Sequence, residues 1–258
     1  MAVRGALWAG AVAVAALLAA PAAHAQVSYN ESPRTGALRL NLGGYRPEIG
    51  RTAGFGDKDP YQSRFGASSM LLFAIDYDRF LWKGFGTFGV GLSAGYAEKY
   101  GKSVELKGGQ PPPDPTTGEQ APLDRGGETS VPTALHVIPI RLMAVYNFDY
   151  LPYELKIPLV PYVRAGIAFI PWWATKGGEV ERVNKVPQQG FTYGLAGAAG
   201  LAFQLDVLGP RMARNLDSDF GINHIYLFAE YNLLQANGFG TKLDLSDDYF
   251  MFGMSFEF

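Results

Sequence analysis

The sequence predicts an all-β fold: an eight-stranded antiparallel transmembrane β-barrel with one short periplasmic helix, ten strands being the alternative count. Three observations lead there. Segments of alternating apolar and polar residues recur along residues 36–258, separated by stretches rich in Gly, Pro and Asp. A period of two marks a strand with unlike faces, and a tilted strand needs only about ten residues to cross a bilayer. Beyond the first 25 residues, no stretch approaches the ~20 uninterrupted apolar residues of a spanning helix. The terminal stretch YFMFGMSFEF puts Phe250, Phe252, Met254, Phe256 and Phe258 on one face, with Met251, Gly253, Ser255 and Glu257 on the other.

The chain begins with an address. Arg4 gives a positive start, Ala6 to Ala20 form a short apolar run, Pro21 breaks it, and Ala23-His24-Ala25 is a small-residue cleavage site. This predicts a signal peptide over residues 1–25, cleaved after Ala25, then an N-terminal lead over 26–35 and the barrel over 36–258. No cysteine is present, which excludes a lipoprotein anchor and disulfides. Loss of Arg4 takes one from 22 basic residues set against 24 acidic, a net charge of −3. That balance gives no support to nucleic-acid binding.

Strand one is Gly36 to Tyr45, with Leu38, Leu40 and Leu42 opposite Arg39 and Asn41. Arg46 to Ser69 is a long loop. Strand two, Met70 to Phe80, turns Leu71, Phe73, Ile75 and Tyr77 outward and Asp76 and Asp78 inward. A tight turn at Trp82 to Gly86 leads to strand three, whose outward Phe88, Val90, Leu92, Ala94 and Tyr96 alternate with glycines and Ser93. Lys99 to Thr133, with its proline run, is an irregular loop. Strand four spans Ala134 to Phe148 and turns Arg141 inward beside Val137, Met143 and Val145, an unusually apolar inner face.

The turn Asp149 to Leu159 opens strand five, Val160 to Trp173, with Tyr162 and Arg164 inward. A polar loop, Ala174 to Gly190, precedes strand six, whose inner face is mostly Gly and Ala. Pro210 to Phe220 reads as a helix, with proline at its start and Gly221 after its end. Strand seven, Asn223 to Leu234, turns His224, Tyr226, Phe228 and Glu230 inward. Ala236 to Asp247 is the last loop, and the terminal stretch is strand eight. Strand direction then predicts two aromatic girdles. Trp82, Phe85 and Phe148 mark the periplasmic rim, and Tyr96, Trp172, Trp173, Tyr193 and Tyr249 the outer one.

The terminal stretch resembles the C-terminal strand of bacterial outer-membrane β-barrels, which the barrel-insertion machinery reads during assembly. Phe250, Phe252, Met254, Phe256 and Phe258 would form that signal. Four stretches, SPRTGALRLNLGGYRP, IPLVPYVRAG, GINHIYLFAEY and LDLSDDYFMFGMSFEF, the last of which contains the terminal strand, resemble a family of small, functionally uncharacterised outer-membrane β-barrel proteins best represented in myxobacteria. The resemblance implies fold and compartment, the bacterial outer membrane. It brings no catalytic residue and no ligand.

Candidate chemistry is sparse. Gly91-Leu92-Ser93-Ala94-Gly95 matches a nucleophile motif that requires a strained strand-to-helix turn, but strand alternation runs straight through it. His136 points outward near the outer rim and His224 inward near the periplasmic end, so they share no site. The chain therefore reads as no enzyme, with no cofactor and no metal. The acidic clusters Asp57 to Asp59 and Asp244 to Asp248 read as solvated loop charge rather than cation bridges to lipopolysaccharide. Inside, strand parity gathers a charge network of Arg39, Asp76, Asp78, Arg141, Arg164, Glu230 and Glu257, which must pair or be hydrated.

The functional expectation is an integral outer-membrane barrel acting as a surface scaffold or interaction protein through its long loops. A narrow channel or hydrophobic-ligand conduit is one alternative, and a soluble periplasmic β-rich binding protein another. The partners expected are outer-membrane lipid and lipopolysaccharide, with the insertion machinery during assembly. The residues point to no particular surface partner.

Overall fold

A computed structural model describes residues 32–49, 60–106, 125–183 and 185–258. The leader, its cleavage site and the Asp57 to Asp59 cluster lie outside the described residues.

The wall is a closed antiparallel barrel of eight membrane-crossing strands. In chain order the strands are β1 (Gly36–Tyr45), β2 (Met70–Lys83), β3 (Thr87–Leu106), β4 (Arg125–Val137), β5 (Ile140–Asn147), β6 (Leu159–Lys176), β7 (Glu179–Val180), β8 (Arg182–Val183), β9 (Val186–Pro187), β10 (Gln189–Gln204), β11 (His224–Gln235) and β12 (Asp247–Glu257). β12 closes the barrel against β1, with Leu38 opposite Phe256, Leu40 opposite Met254 and Leu42 opposite Phe252. Every backbone group of such a wall finds a partner in a neighbouring strand, which makes crossing a bilayer affordable.

β4 and β5 together make one crossing, and this corrects the single continuous strand expected over Ala134 to Phe148. The break falls at Ile138–Pro139. Pro139 has no N–H to give the ladder. Ile138 N–H instead donates to the Pro171 carbonyl at 3.0 Å, and Gly95 N–H donates to the Pro139 carbonyl at 2.9 Å. β3 pairs β5 below the break and β4 above it. β7 adds a short extension to β6, while β8 and β9 form a separate hairpin outside the wall.

The outer surface is the apolar half of each alternation. Leu42, Leu71, Phe73, Leu92, Leu142, Val163, Ile167, Leu195, Leu227, Phe250 and Phe252 are all exposed. A water-soluble monomer rarely shows a contiguous apolar surface of this extent, and a closed barrel wearing it as a belt is a transmembrane barrel. Among the described residues no helix is long and apolar enough to cross.

The loops are less irregular than the sequence suggests. Arg46 to Ser69 contains a helix, α1 (Pro60–Phe65); β3 runs on to Leu106, and β4 starts at Arg125, so both intrude on the stretch read as loop. The short-turn end holds α2 (Tyr150–Glu154), a 3-10 turn (Leu205–Leu208) and α3 (Pro210–Phe220). α3 has proline in its first turn and ends at Gly221, whose φ of 69° suits glycine.

Two expected girdle residues are corrected. Tyr249 is buried in the lumen, edge-on to Tyr45 at 5.6 Å, and Trp172 packs half-buried against the inner core. Both follow strand parity: Tyr249 shares a face with Met251, and Trp172 with Tyr162 and Arg164. Trp82, Phe85, Tyr96 and Tyr193 are exposed, Trp173 stacks on His136, and Phe148 meets Phe85 at 5.2 Å.

Candidate functional site

Charged side chains converge in the lumen, which is built in layers. At the short-turn end, the last residues of the lead, Ser32 to Thr35, lie in the barrel mouth. Ser32 Oγ hydrogen-bonds Asp217 on α3, and Asn223 Nδ2 donates to the Ser32 carbonyl at 2.6 Å. This places Arg34 in the mouth, where Nη1 lies 3.0 Å from both Asp149 and Glu257. Its guanidinium rests 4.2 Å over the Tyr153 ring. Tyr226 Oη donates to Glu257 at 3.0 Å, and Thr87 Oγ1 donates to Asp149 at 2.6 Å. Burial works against the Arg34 charge, but Glu257, Tyr153 and Asp149 more than offset it and raise its pKa above the ordinary arginine value.

Above Arg34 lies a cavity of about 40 Å³, bordered by Arg34, Arg39, Asp78, Tyr162, Tyr226 and Glu257. It has room for roughly two or three water molecules.

The next layer is the charge network. Arg39 Nη2 lies 3.0 Å from Glu230 and donates to Tyr162 Oη at 2.5 Å, while its Nη1 is 4.0 Å from Asp78. The same guanidinium sits in the corner made by the near-perpendicular rings of Phe228, at 4.0 Å, and Tyr162, at 4.4 Å. Arg164 bridges two carboxylates, Asp76 through Nη1 and Asp78 through Nη2, the latter at 2.7 Å. Arg141 donates to Ser93 Oγ at 3.0 Å and to Asn232 Oδ1 at 2.7 Å, and Asn232 donates in turn to Glu230 at 3.0 Å. The lumen residues expected from parity are therefore brought together, except that Glu257 belongs to the mouth with Arg34.

Glycines make room for this layer. A Cβ at Gly91 would stand 2.9 Å from Arg164 Nη2 and closer still to Asp78, and one at Gly200 would strike the Tyr162 ring. Small residues on β3 and β10 are the complement of large ones on β6 and β11, the usual way a narrow barrel fills its interior.

Toward the long-loop end the lumen turns apolar. Met70, Leu72, Met143, Ile170 and Met251 fill it, and Tyr61 from α1 and Leu245 from the last loop close it. The Tyr45 hydroxyl donates to the Leu245 carbonyl at 2.6 Å. Arg64 on α1 forms a two-point pair with Glu181 across the mouth, at 3.0 and 3.1 Å. The Asp244 to Asp248 cluster is corrected here. Asp244 is buried and caps the Ser246 N–H at 3.0 Å, while Asp247 accepts from the Arg46 N–H at 2.6 Å. These carboxylates shape the last loop.

The chemistry this arrangement offers is mutual neutralisation. Ser93 is fully buried and occupied by Arg141, with strand on both sides of it. His136 sits outside, stacked 5.0 Å from Trp173, whereas His224 faces Gln204 and Asp206 at the short-turn end. Among the described residues, no three His, Cys, Asp or Glu side chains are grouped to hold a metal. Reasoning from strands missed Arg34 and Asp149 because they lie on a lead and a turn, where no period assigns a face. The local signal was only that both flank predicted strands at the same end.

No family model matches the chain, and no curated protein matches it. Among solved structures it is similar to the outer membrane protein OprG from Pseudomonas aeruginosa, at 12% identity over 90% of this chain and 99% of that one, with a TM-score of 0.47. Neisserial surface protein A is similar at 12% identity over 86% and 97%, TM-score 0.41. Ail, the attachment invasion locus protein of Yersinia pestis, is similar at 12% identity over 87% and 97%, TM-score 0.37. Overlaps of this size leave the function to the chain's own residues.

Proposed function

We propose that the protein is an integral barrel of the bacterial outer membrane that works as a surface scaffold or interaction protein, without catalysis and without conduction. The short-turn end faces the periplasm and the long-loop end the cell exterior. Lipid and lipopolysaccharide surround the belt, and the outward side of β12 with the terminal Phe258 serves as the assembly signal. The observation that carries this reading is a lumen closed in three successive ways: Arg34 and its carboxylates, the charge network, then the apolar plug under Tyr61 and Leu245. A barrel filled along its axis has its wall as an anchor and its loops as the part left to meet partners.

The conduit alternative draws on the apolar outer half of the lumen. Against it stands the cavity of only about 40 Å³ in the polar half, too small for more than a few waters. Planar-bilayer recording of the purified protein is the test. A silent membrane containing heat-modifiable, folded barrel is the expected result. Stable openings that vanish when Gly91 or Gly200 is replaced by a bulky residue would overturn the non-conducting reading.

A further inference from the structure

We propose that α3 is a membrane-lying foot, its apolar flank seated among the acyl chains of the periplasmic leaflet beside the barrel. The inference rests on the barrel spanning a membrane as proposed above.

The helix is fixed at two places. Behind it, Asp206 in the 3-10 turn holds His224 and accepts from the Ile225 N–H at 3.4 Å, which ties the turn to β11. Within it, Asp217 is buried and bonded to Ser32 of the lead. Asp217 therefore marks the side that faces the protein.

Successive helix residues are ~100° apart, so the other residues can be placed around that mark. Met212, Leu216 and Phe220, spaced four apart, form one stripe roughly a quarter turn to one side of Asp217. Arg211, Asn215 and Ser218 form a polar stripe on the other side. The apolar stripe thus neither packs under the helix nor points straight away from the barrel. It occupies a flank.

That flank is uncovered at both ends, with Leu216 half-buried between them. Met212 and Phe220 are 69% and 75% exposed, and Leu208, just before the helix, is 70% exposed. It also continues a surface already assigned to lipid: outward Leu201 on β10 leads through Val207 and Leu208 to the helix, beside outward Leu227 on β11. Continuity with the belt is what selects lipid as the occupant over a protein partner. A helix with one apolar flank and one polar flank lies in the interfacial plane, apolar side sunk a few ångströms into the acyl boundary. Exposed Arg211 on the polar flank suits lipid phosphate, while exposed Asp219, next to Met212 around the helix, must stay at the water side.

The absence of cysteine in the chain makes the test clean. Single cysteines at positions 212, 220, 215 and 218 are nitroxide-labelled in the full barrel, reconstituted in vesicles of phosphatidylethanolamine and phosphatidylglycerol. A fifth label at Leu227→Cys reports the lipid-facing wall independently. The expected result is collision with oxygen favoured several-fold over collision with a water-soluble nickel complex at Met212→Cys and Phe220→Cys, with the reverse at Asn215→Cys and Ser218→Cys. Equal nickel access at all four helix positions, with the wall label still oxygen-rich, overturns the foot and leaves the barrel intact. Labels at 212 and 220 shielded from both reagents also overturn it, by placing protein on the flank. A wall label open to nickel would instead remove the barrel reading itself.

Discussion

The two halves of the lumen are closed by opposite physics. Toward the short-turn end the filling is ionic: Arg39, Arg164, Asp76, Asp78 and Glu230 are almost wholly buried, each held by a partner. Toward the long-loop end it is apolar, with Leu72, Met143, Ile170 and Met251 equally buried. The difference teaches how each half can fail. An apolar layer loses stability in proportion to the contacts removed, whereas an ionic layer tolerates removal of a whole set and fails when one member is left alone.

The largest effect should therefore come from Arg164→Leu, which takes the paired arginine from buried Asp76 and leaves Asp78 beside it with only Arg39, at 4.0 Å. Unfolding from lipid vesicles in urea, followed by tryptophan fluorescence, should show a loss of about 3–5 kcal/mol. Adding Asp76→Leu and Asp78→Leu to the same variant should restore most of it. If the triple variant is no more stable than the single one, the ionic half is not behaving as a set of compensated charges.

Next comes the outer surface, against which both halves can be judged. Phe252 lies in the middle of β12, exposed on the lipid face. Phe252→Arg should cost about 2–4 kcal/mol near the bilayer midplane and lower the amount of heat-modifiable barrel in the membrane fraction. Unchanged membrane levels would argue against Phe252 facing lipid.

In the apolar half, Ile170→Val removes one methylene from a fully buried side chain. The expected loss is about 0.5–1.5 kcal/mol in the same urea measurement. A loss as large as that of Arg164→Leu would erase the distinction between the halves.

How much of this was legible depends on whether a residue sits on a strand. Parity alone turned Arg39, Asp76, Asp78, Arg141, Arg164 and Glu230 inward, because a strand has only two faces. It could not pair them, since pairing depends on register between strands distant in sequence, such as β2 and β6. Residue type does not overrule parity: Tyr249 and Trp172, which strand direction puts at the outer rim, obey the alternation and face the lumen. Pro210 and Gly221 bounded α3 in advance, because helix ends carry their own local chemistry. Arg34, Asp149, Tyr61 and Leu245, which close the two mouths, sit on non-periodic segments whose positions are set by tertiary contacts.

The smallest effect belongs to the contact that joins two loops over the apolar half. Arg64 and Glu181 meet at two points, but the Arg64 side chain is 38% exposed, and solvent screens such a pair. Arg64→Ala should change barrel stability by no more than ~1 kcal/mol, the usual range for an exposed ion pair. Its consequence is local, because the pair tethers α1 to the loop after β6 while Tyr61 on the same helix sits in the plug. Limited proteolysis of the folded barrel should therefore cut near α1 faster in Arg64→Ala than in the parent, and faster in the parent at high salt than at low salt. If cleavage near α1 is insensitive to both changes, burial of Tyr61 and Phe65 holds the helix down, and the mouth of the apolar half is sealed by burial just as its interior is.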